Sequence, residues 1–310
     1  MLENDEKRLT LGEKAARQLS TTTKTQAQWG SITPRWLCRF LSWTPVESGV
    51  YRVNRVRSVA GDLQRDVDAN PRAAQDLAQL FIDYNEKPRE HVLIAITSIL
   101  DVQTRISDLY RSPWDEVQEQ LRLLIERVKE KQEDELLYND DYGLIVNAPL
   151  AQRLRTRKGP PMPDDMDELI ARVWKEPSFF LAHPKAIAAF GRECTRRGVP
   201  PPTVSLFGSP FLTWRGIPLV PCDKLRIDNE GRTSILLLRT GEKRQGVVGL
   251  FQPGLPGEVQ PSLSVRFMGI DRKAIASYLI SLYCSAAILT DDAIAVLDDV
   301  DVGNFYDYPM

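Results

Sequence analysis

Histidine is the scarcest chemical resource of this chain: His91 and His183 are the only two among 310 residues. A histidine-based mechanism has little material, and neither ring stands at ligand spacing from a cysteine or a glutamate, so no zinc site can be written. The four cysteines, Cys38, Cys194, Cys222 and Cys284, lie far apart without a Cys-x-x-Cys pair. They read as reduced thiols of a cytosolic protein. Ordinary packing is expected of them, with Cys222, which follows Pro221 near a strand end, the one open to exposure. No apolar run reaches the roughly 18 to 20 residues of a membrane-spanning helix; the longest, Tyr278 to Leu289, is closed by Asp291 and Asp292. Met1 to Thr10 is dominated by charge and lacks the apolar stretch of a signal peptide, so export is not expected. A dominant charge sign is missing too. With 40 basic and 42 acidic residues the formal net charge is −2, which lacks the positive field of a dedicated nucleic-acid binder.

Familiar catalytic motifs are also absent or incomplete. Gly241 to Gly246 imitates the start of a phosphate-binding loop, but Val247 and Val248 follow where a Lys and a Ser or Thr would be needed. A glycine-closed turn between strands is the better reading. Ser209 sits in Phe-Gly-Ser-Pro-Phe, not in a nucleophile elbow, and Pro210 would disturb the turn such a serine needs. Asp164, Asp165, Asp167 and Glu168 gather at a helix start, where the dipole favours acidic groups, and read as caps ahead of a metal site. Arg153, Arg155, Arg157 and Lys158 are the strongest basic cluster. A solvated loop, a salt-bridging contact to another subunit and nucleic acid all remain open for it.

What is present is a globular core, at 43% hydrophobic residues. Met1 to Ser31 is a polar arm. At Ile32 the character changes, and Trp36, Leu37, Phe40, Leu41 and Trp43 fit about two helical turns with one apolar stripe. This stripe either docks on another subunit or joins the chain's own core. Tyr51 and Val53 alternate, and the β-branched run from His91 to Ile106 predicts a strand of roughly 50 Å, long enough to project. Asn70-Pro71 starts a short helix. Ser112-Pro113-Trp114-Asp115 caps a long helix reaching Leu137, with Leu121, Leu124, Ile125 and Val128 on one face and a length of roughly 37 Å. A further helix follows Asp164, and His183-Pro184 starts another that ends at Arg197-Gly198. Pro200 to Pro202 forms a stiff exposed loop. Short strands with glycine turns run from Thr203 to Gly257, and a last alternating strand passes through Tyr278, Ile280 and Leu282. No internal repeat is visible.

Phe179 to Phe190 and Phe211 to Leu225 pair a strand entering a helix at a proline with a later Gly-x-Pro strand. Together with Ala15 to Leu19, Ile32 to Leu37, Tyr84 to Arg89, Gly191 to Pro200, Gly241 to Leu250 and Leu289 to Leu297, these segments resemble the second-family (family 2A) encapsulin shell proteins, relatives of tailed-phage major capsid proteins. The resemblance implies an α+β tailed-phage capsid (HK97-like) fold. Its parts would be an N-terminal arm (1–49), an extended loop (50–111), a peripheral domain with the long spine helix (112–142 plus 264–310) and an axial domain (143–263). It further implies no enzyme activity in the chain, but a cytoplasmic icosahedral compartment of about sixty copies. That compartment would enclose a cargo enzyme, a cysteine desulfurase with its own pyridoxal phosphate, in sulfur metabolism or storage. The shell itself would need no cofactor, nucleic acid or membrane. Pores between copies would be lined by axial loops, with Gly198, Pro200, Pro201, Pro202 and Ser205 as candidates and Gly241 to Gly246 as another. Trp36, Phe40, Trp43, Arg153, Arg155 and Arg157 are candidate assembly contacts. The alternatives are a phage capsid protein enclosing DNA and a soluble enzyme of unrecognised type.

Overall fold

Phe179 to Ala182 and Ile235 to Leu238 are apolar runs without alternation, and each lies in a strand buried on both faces. A sheet sandwiched between two layers asks for such runs, because side chains of successive residues point to opposite sides and both sides are apolar. The computed structural model describes residues 14–15, 17–18, 32–53, 88–103 and 116–305. The helix expected at Asn70-Pro71 and the cap expected at Ser112-Pro113 lie outside these residues.

In chain order the elements are α1 (Trp36–Phe40), β1 (Ser42–Pro45), β2 (Val50–Val53), β3 (Arg89–Val92), β4 (Ile94–Gln103), α2 (Glu116–Tyr138), β5 (Arg153–Arg155), α3 (Pro163–Arg172), β6 (Phe179–Ala182) and α4 (Pro184–Arg196). Strands β7 (Thr203–Leu206), β8 (Ser209–Trp214), β9 (Ile217–Pro221), β10 (Arg232–Leu238), β11 (Val247–Phe251), β12 (Glu258–Gln260), β13 (Leu263–Ile270), β14 (Ile275–Ile288) and β15 (Ile294–Asp301) complete it.

A seven-stranded sheet has the order β5-β15-β10-β6-β9-β8-β7. On one face Phe180, Ala182, Ile235, Leu237 and Leu297 pack with Met166, Leu169 and Phe190 of α3 and α4. On the other, Phe179, Leu181, Leu236, Leu238 and Val296 pack with Trp36 and Leu37 of α1 and Leu136 and Leu137 of α2. The second sheet has the order β1-β11-β14-β13-β12, with β4 also paired to β14. The predicted stripe of Leu121, Leu124, Ile125 and Val128 lies against it, on Leu263, Ile280 and Leu282.

Helix α4 begins and ends where the sequence placed it. His183 Nδ1 accepts the Lys185 amide at 3.0 Å, and Pro184 occupies the first turn. At the other end Gly198 has φ +70°, and the amides of Gly198 and Val199 donate to the carbonyls of Thr195 and Cys194 at 3.0 Å each. This is a Schellman closure. Asp165 caps α3, its carboxylate accepting the Met162 amide at 3.1 Å, and that helix starts on Pro163 itself.

Three expectations need correction. The extended run from His91 is broken at Leu93: β3 pairs with β2, whereas β4 pairs with β14 from Ile94↔Cys284 to Gln103↔Ile275. The strand through Tyr278 is not the last, because β15 follows it. Sheet membership does not follow chain order. Residues 294–301 form β15, next to the edge strand β5 of the seven-stranded sheet, and 247–251 form β11 in the other, since the chain crosses between sheets at the Gly241–Gly246 turn. Finally, α1 is one short helix, after which the chain straightens and Trp43 enters a strand paired in parallel with β11.

Candidate functional site

Where residues 32–41 join the body, three glutamates of α2 hold the chain. Glu126, Glu130 and Glu133 are spaced i, i+4 and i+7, so one face of the helix presents all three. Glu130 accepts from the Thr33 amide at 2.9 Å and from its hydroxyl at 2.8 Å. Arg35 reaches Glu126 at 2.7 Å and Glu130 at 3.4 Å, and its backbone is left-handed, with φ 49°. Helix α1 has no side-chain cap of its own; instead Glu133, 1% exposed, accepts the Leu37 amide at 2.8 Å. Lys224, from the loop after β9, closes on Glu130 at 2.9 Å. This cluster is absent from the sequence-level candidates. The signal that could have found it is Glu133 itself, three residues before Leu136 and four before Leu137, a carboxylate on the apolar stripe of α2.

The aromatic candidates fall beside this cluster, inside the chain. Trp36 is 8% exposed and meets Phe211 edge to face at 5.1 Å, while Phe40 lies 5.1 Å from Phe179. Trp43 donates its indole N–H to the Cys38 carbonyl at 2.8 Å and covers Gly249, whose added Cβ would come within 2.6 Å of the ring. Within one copy these three cover the second apolar face of the seven-stranded sheet, Trp36 buried and Phe40 and Trp43 half-buried.

The arginine candidates are also occupied within the chain. Arg153 forks onto Asp298 at 2.9 and 3.1 Å and donates to the Ile145 carbonyl at 2.8 Å. Arg157 reaches the buried Asp165 at 2.9 Å. Arg155, its side chain 85% exposed, lies 3.4 Å from Asp299. Parallel pairing of β5 with β15 brings Arg153 and Arg155 beside Asp298 and Asp299.

Of the axial candidates, Gly198, Pro200 and Pro202 are exposed and Pro201 is half-buried, in a loop fixed by the Pro202 carbonyl accepting the Thr213 amide at 2.7 Å. Ser205 is corrected from loop to strand: it lies in β7, the edge of the seven-stranded sheet, opposite Pro210. The turn Phe207-Gly208 has φ 51° and 75°, the mirror-image hairpin turn that matches strand twist. Ser209 thus opens a strand. Gly241 to Gly246 is a turn, as read, with the Gly246 amide on the Gly241 carbonyl at 3.0 Å.

Titratable groups show no shared chemistry. Burial pushes the Cys194 thiol up to about 11 and those of Cys222 and Cys284 up to about 12, and raises Cys38 well above its ordinary value. Cys222 is buried, not exposed, because Pro221 ends a strand in the core. Burial, helped by Lys185, lowers His183, whose ring serves as a helix cap. Among the described residues no group of three or more His, Cys, Asp or Glu could hold a metal, and no helix is long and apolar enough to cross a membrane.

Large apolar side chains do lie open on the ribbon of β4, β14 and β13. Ile99, Phe267, Met268 and Ile270 are each more than half exposed, on strands that continue from the core.

Comparison with known proteins follows this geometry. The SrpI-like family model, described as type 2A encapsulin shell protein SrpI-like, matches residues 51–304. The type 2A encapsulin shell protein SrpI of Synechococcus elongatus is 61% identical over 300 residues, 97% of either chain. A type 2A encapsulin shell protein of Mycolicibacterium paratuberculosis is 56% identical over 298 residues, 96% of either chain. The solved holo-SrpI encapsulin complex from Synechococcus elongatus superposes with a TM-score of 0.83 at 59% identity, over 97% of this chain and 100% of that one. A gene-transfer-agent (GTA) capsid reaches 0.57 at 14% identity, over 86% and 91%, a likeness of fold alone.

Proposed function

This chain belongs to the type 2A encapsulin shell proteins and has their α+β tailed-phage capsid (HK97-like) fold, and from that premise we propose that its copies, about sixty of them, close into an icosahedral compartment in the cytoplasm. The compartment encloses a cysteine desulfurase that carries its own pyridoxal phosphate, in sulfur metabolism or storage. The chain acts as wall, not as catalyst. Small polar solutes pass between copies at the axial loop Gly198 to Pro202 while the enzyme stays inside. The cargo is carried here on the family resemblance.

One observation carries the shell reading: Phe267, Met268 and Ile270 stand open along β13, and Ile99 of β4 on the opposite face, on a ribbon that extends from a well-packed core. Clustered exposed apolar groups of this kind mark contact surfaces, and a closed shell covers them with neighbouring copies. The alternative of a capsid around DNA shares the fold, but Arg153 and Arg157 are turned to Asp298 and Asp165 and the net charge is −2. Sizing the purified protein by light scattering and electron microscopy tests the shell, and mass spectrometry of co-purifying proteins tests the cargo. Closed particles holding a desulfurase are expected. A monomer with nothing bound overturns the reading; particles filled with DNA would favour the phage alternative.

A further inference from the structure

Glu133 is a carboxyl without a matched cation, inside a cluster where the other carboxylates have one. Glu126 and Glu130 pair with Arg35, and Glu130 also pairs with Lys224. Glu133 has the backbone: the Leu37 amide at 2.8 Å, in the first turn of a helix that lacks its own cap. Directly before that helix stands Arg35, in the left-handed region, so the chain direction changes at the point the glutamates grip.

We propose that Glu133 is a pH-sensitive latch on the root of the arm, holding Leu37 and α1 against α2 while its carboxyl is protonated and loosening them as it ionises. The proposal rests on the shell reading only for its use: the latch sets how firmly residues upstream of Ile32 are presented to a neighbouring copy.

Charged and titratable groups face Glu133 from several elements. From the root come Arg35 and the Cys38 thiol, from α2 Glu126 and Glu130, and from the loop after β9 Cys222, Asp223 and Lys224. Cys284 of β14 faces Cys38. Burial of Cys38, Cys222 and Cys284 keeps their thiols neutral across the range. Burial also pushes the Glu133 carboxyl up to about 7, against the downward pull of the Leu37 and Cys38 amides and Lys224; Asp223 adds to the rise. A carboxyl released to water titrates near ~4.3. The closed form therefore binds the proton more tightly than the open one. Closure from this group is complete below about 4.3 and is lost as pH rises through 7. Opening relieves the ionised group because it regains water.

Amide hydrogen exchange of residues 32–41 tests this, in the full-length protein at pH 5.5 and 8.5, after correction for the intrinsic rate at each pH. The opening equilibrium at Leu37 to Leu41 should rise about thirtyfold between the two, with α4 unchanged. Glu133→Gln should abolish the rise. A root that opens equally at both pH values in the wild type, or a rise that survives in Glu133→Gln, overturns the latch. Lys224→Met gives a second test that does not depend on that variant folding. Loss of the cation should move the opening midpoint to higher pH, and an unmoved or lower midpoint counts against the proposal. Light scattering on the same samples separates the two readings. Protomer-sized protein with a pH-dependent root overturns the shell alone; closed particles with a pH-independent root overturn the latch alone.

Discussion

Glu133 at the arm root and Asp292 beside the seven-stranded sheet both order a turn of chain, yet their proton affinities move in opposite directions. Asp292 accepts from the buried Arg239 guanidinium at 2.8 Å and lies 3.0 Å from Lys175. The Arg239 contact, first among its influences, holds its carboxyl well below the usual range despite burial. Glu133 has two backbone amides and a more distant Lys224, and burial prevails. A half-buried carboxylate matched to a buried guanidinium is a fixed joint. One matched only to amides keeps an affinity for the proton that ordinary pH changes can reach.

The comparison breaks most visibly at Arg239. Arg239→Ala should cost about 3 kcal/mol, because Asp292 loses its guanidinium and is left with Lys175, and the Thr290 hydroxyl loses the buried cation that donates to it. A fall of the thermal midpoint by roughly 10 °C is expected; a fall under about 2 °C would mean that the joint is not fixed by this residue. Since the folded carboxyl titrates below its unfolded value, the Asp292 contribution is present above about pH 3.9 and fades only as pH falls further. At the arm root, Gly249→Ala sets a methyl against the Trp43 ring and should cost about 2 kcal/mol by overpacking, read as a lower thermal midpoint with altered near-ultraviolet dichroism. An unchanged spectrum would show that the root is held by its glutamates, not by Trp43. Glu133→Gln sharpens the contrast through its sign. The stabilisation from the raised carboxyl is lost as pH rises from about 4.3 through about 7 and changes no further above that, so the variant should gain about 2 to 3 kcal/mol more at pH 8.5 than at pH 5. Equal effects at both would place the titration elsewhere. The smallest change should come from Arg155→Ala, within about 0.5 kcal/mol, since that pair is solvated. A larger loss in thermal melts would make its link to Asp299 more than a surface contact.

Much of the fold was legible because its signals are local. Proline after His183 and glycine after Arg197 bound α4 through hydrogen bonds spanning a few residues, and the Leu121 to Val128 stripe reports which face of α2 is covered. The capsid-like fold followed from the longer resemblance. What escaped depends on partners far along the chain. The parallel pairing of β1 with β11 joins Ser42 to Val248, and no property of either segment announces the other. The same holds for Arg153 and Asp298, whose pairing waits on β5 lying beside β15. At Arg215-Gly216, with φ 49° and 83°, a hairpin turn is built without the asparagine or aspartate that usually signals it. Glu133 was passed over for a different reason: carboxylates are expected at surfaces, and only an apolar neighbourhood turns one into a buried cap.

Strand β14 also has a mechanical consequence. It runs for 14 residues, bonded to β13 on one edge and to β11 and then β4 on the other. A pull along the ribbon loads the ten-residue register with β4 in shear, so its hydrogen bonds share the force at once instead of peeling one by one. The ribbon therefore behaves as a tendon rooted in the core, stiff along its length, and compliance is left to the bends at its ends.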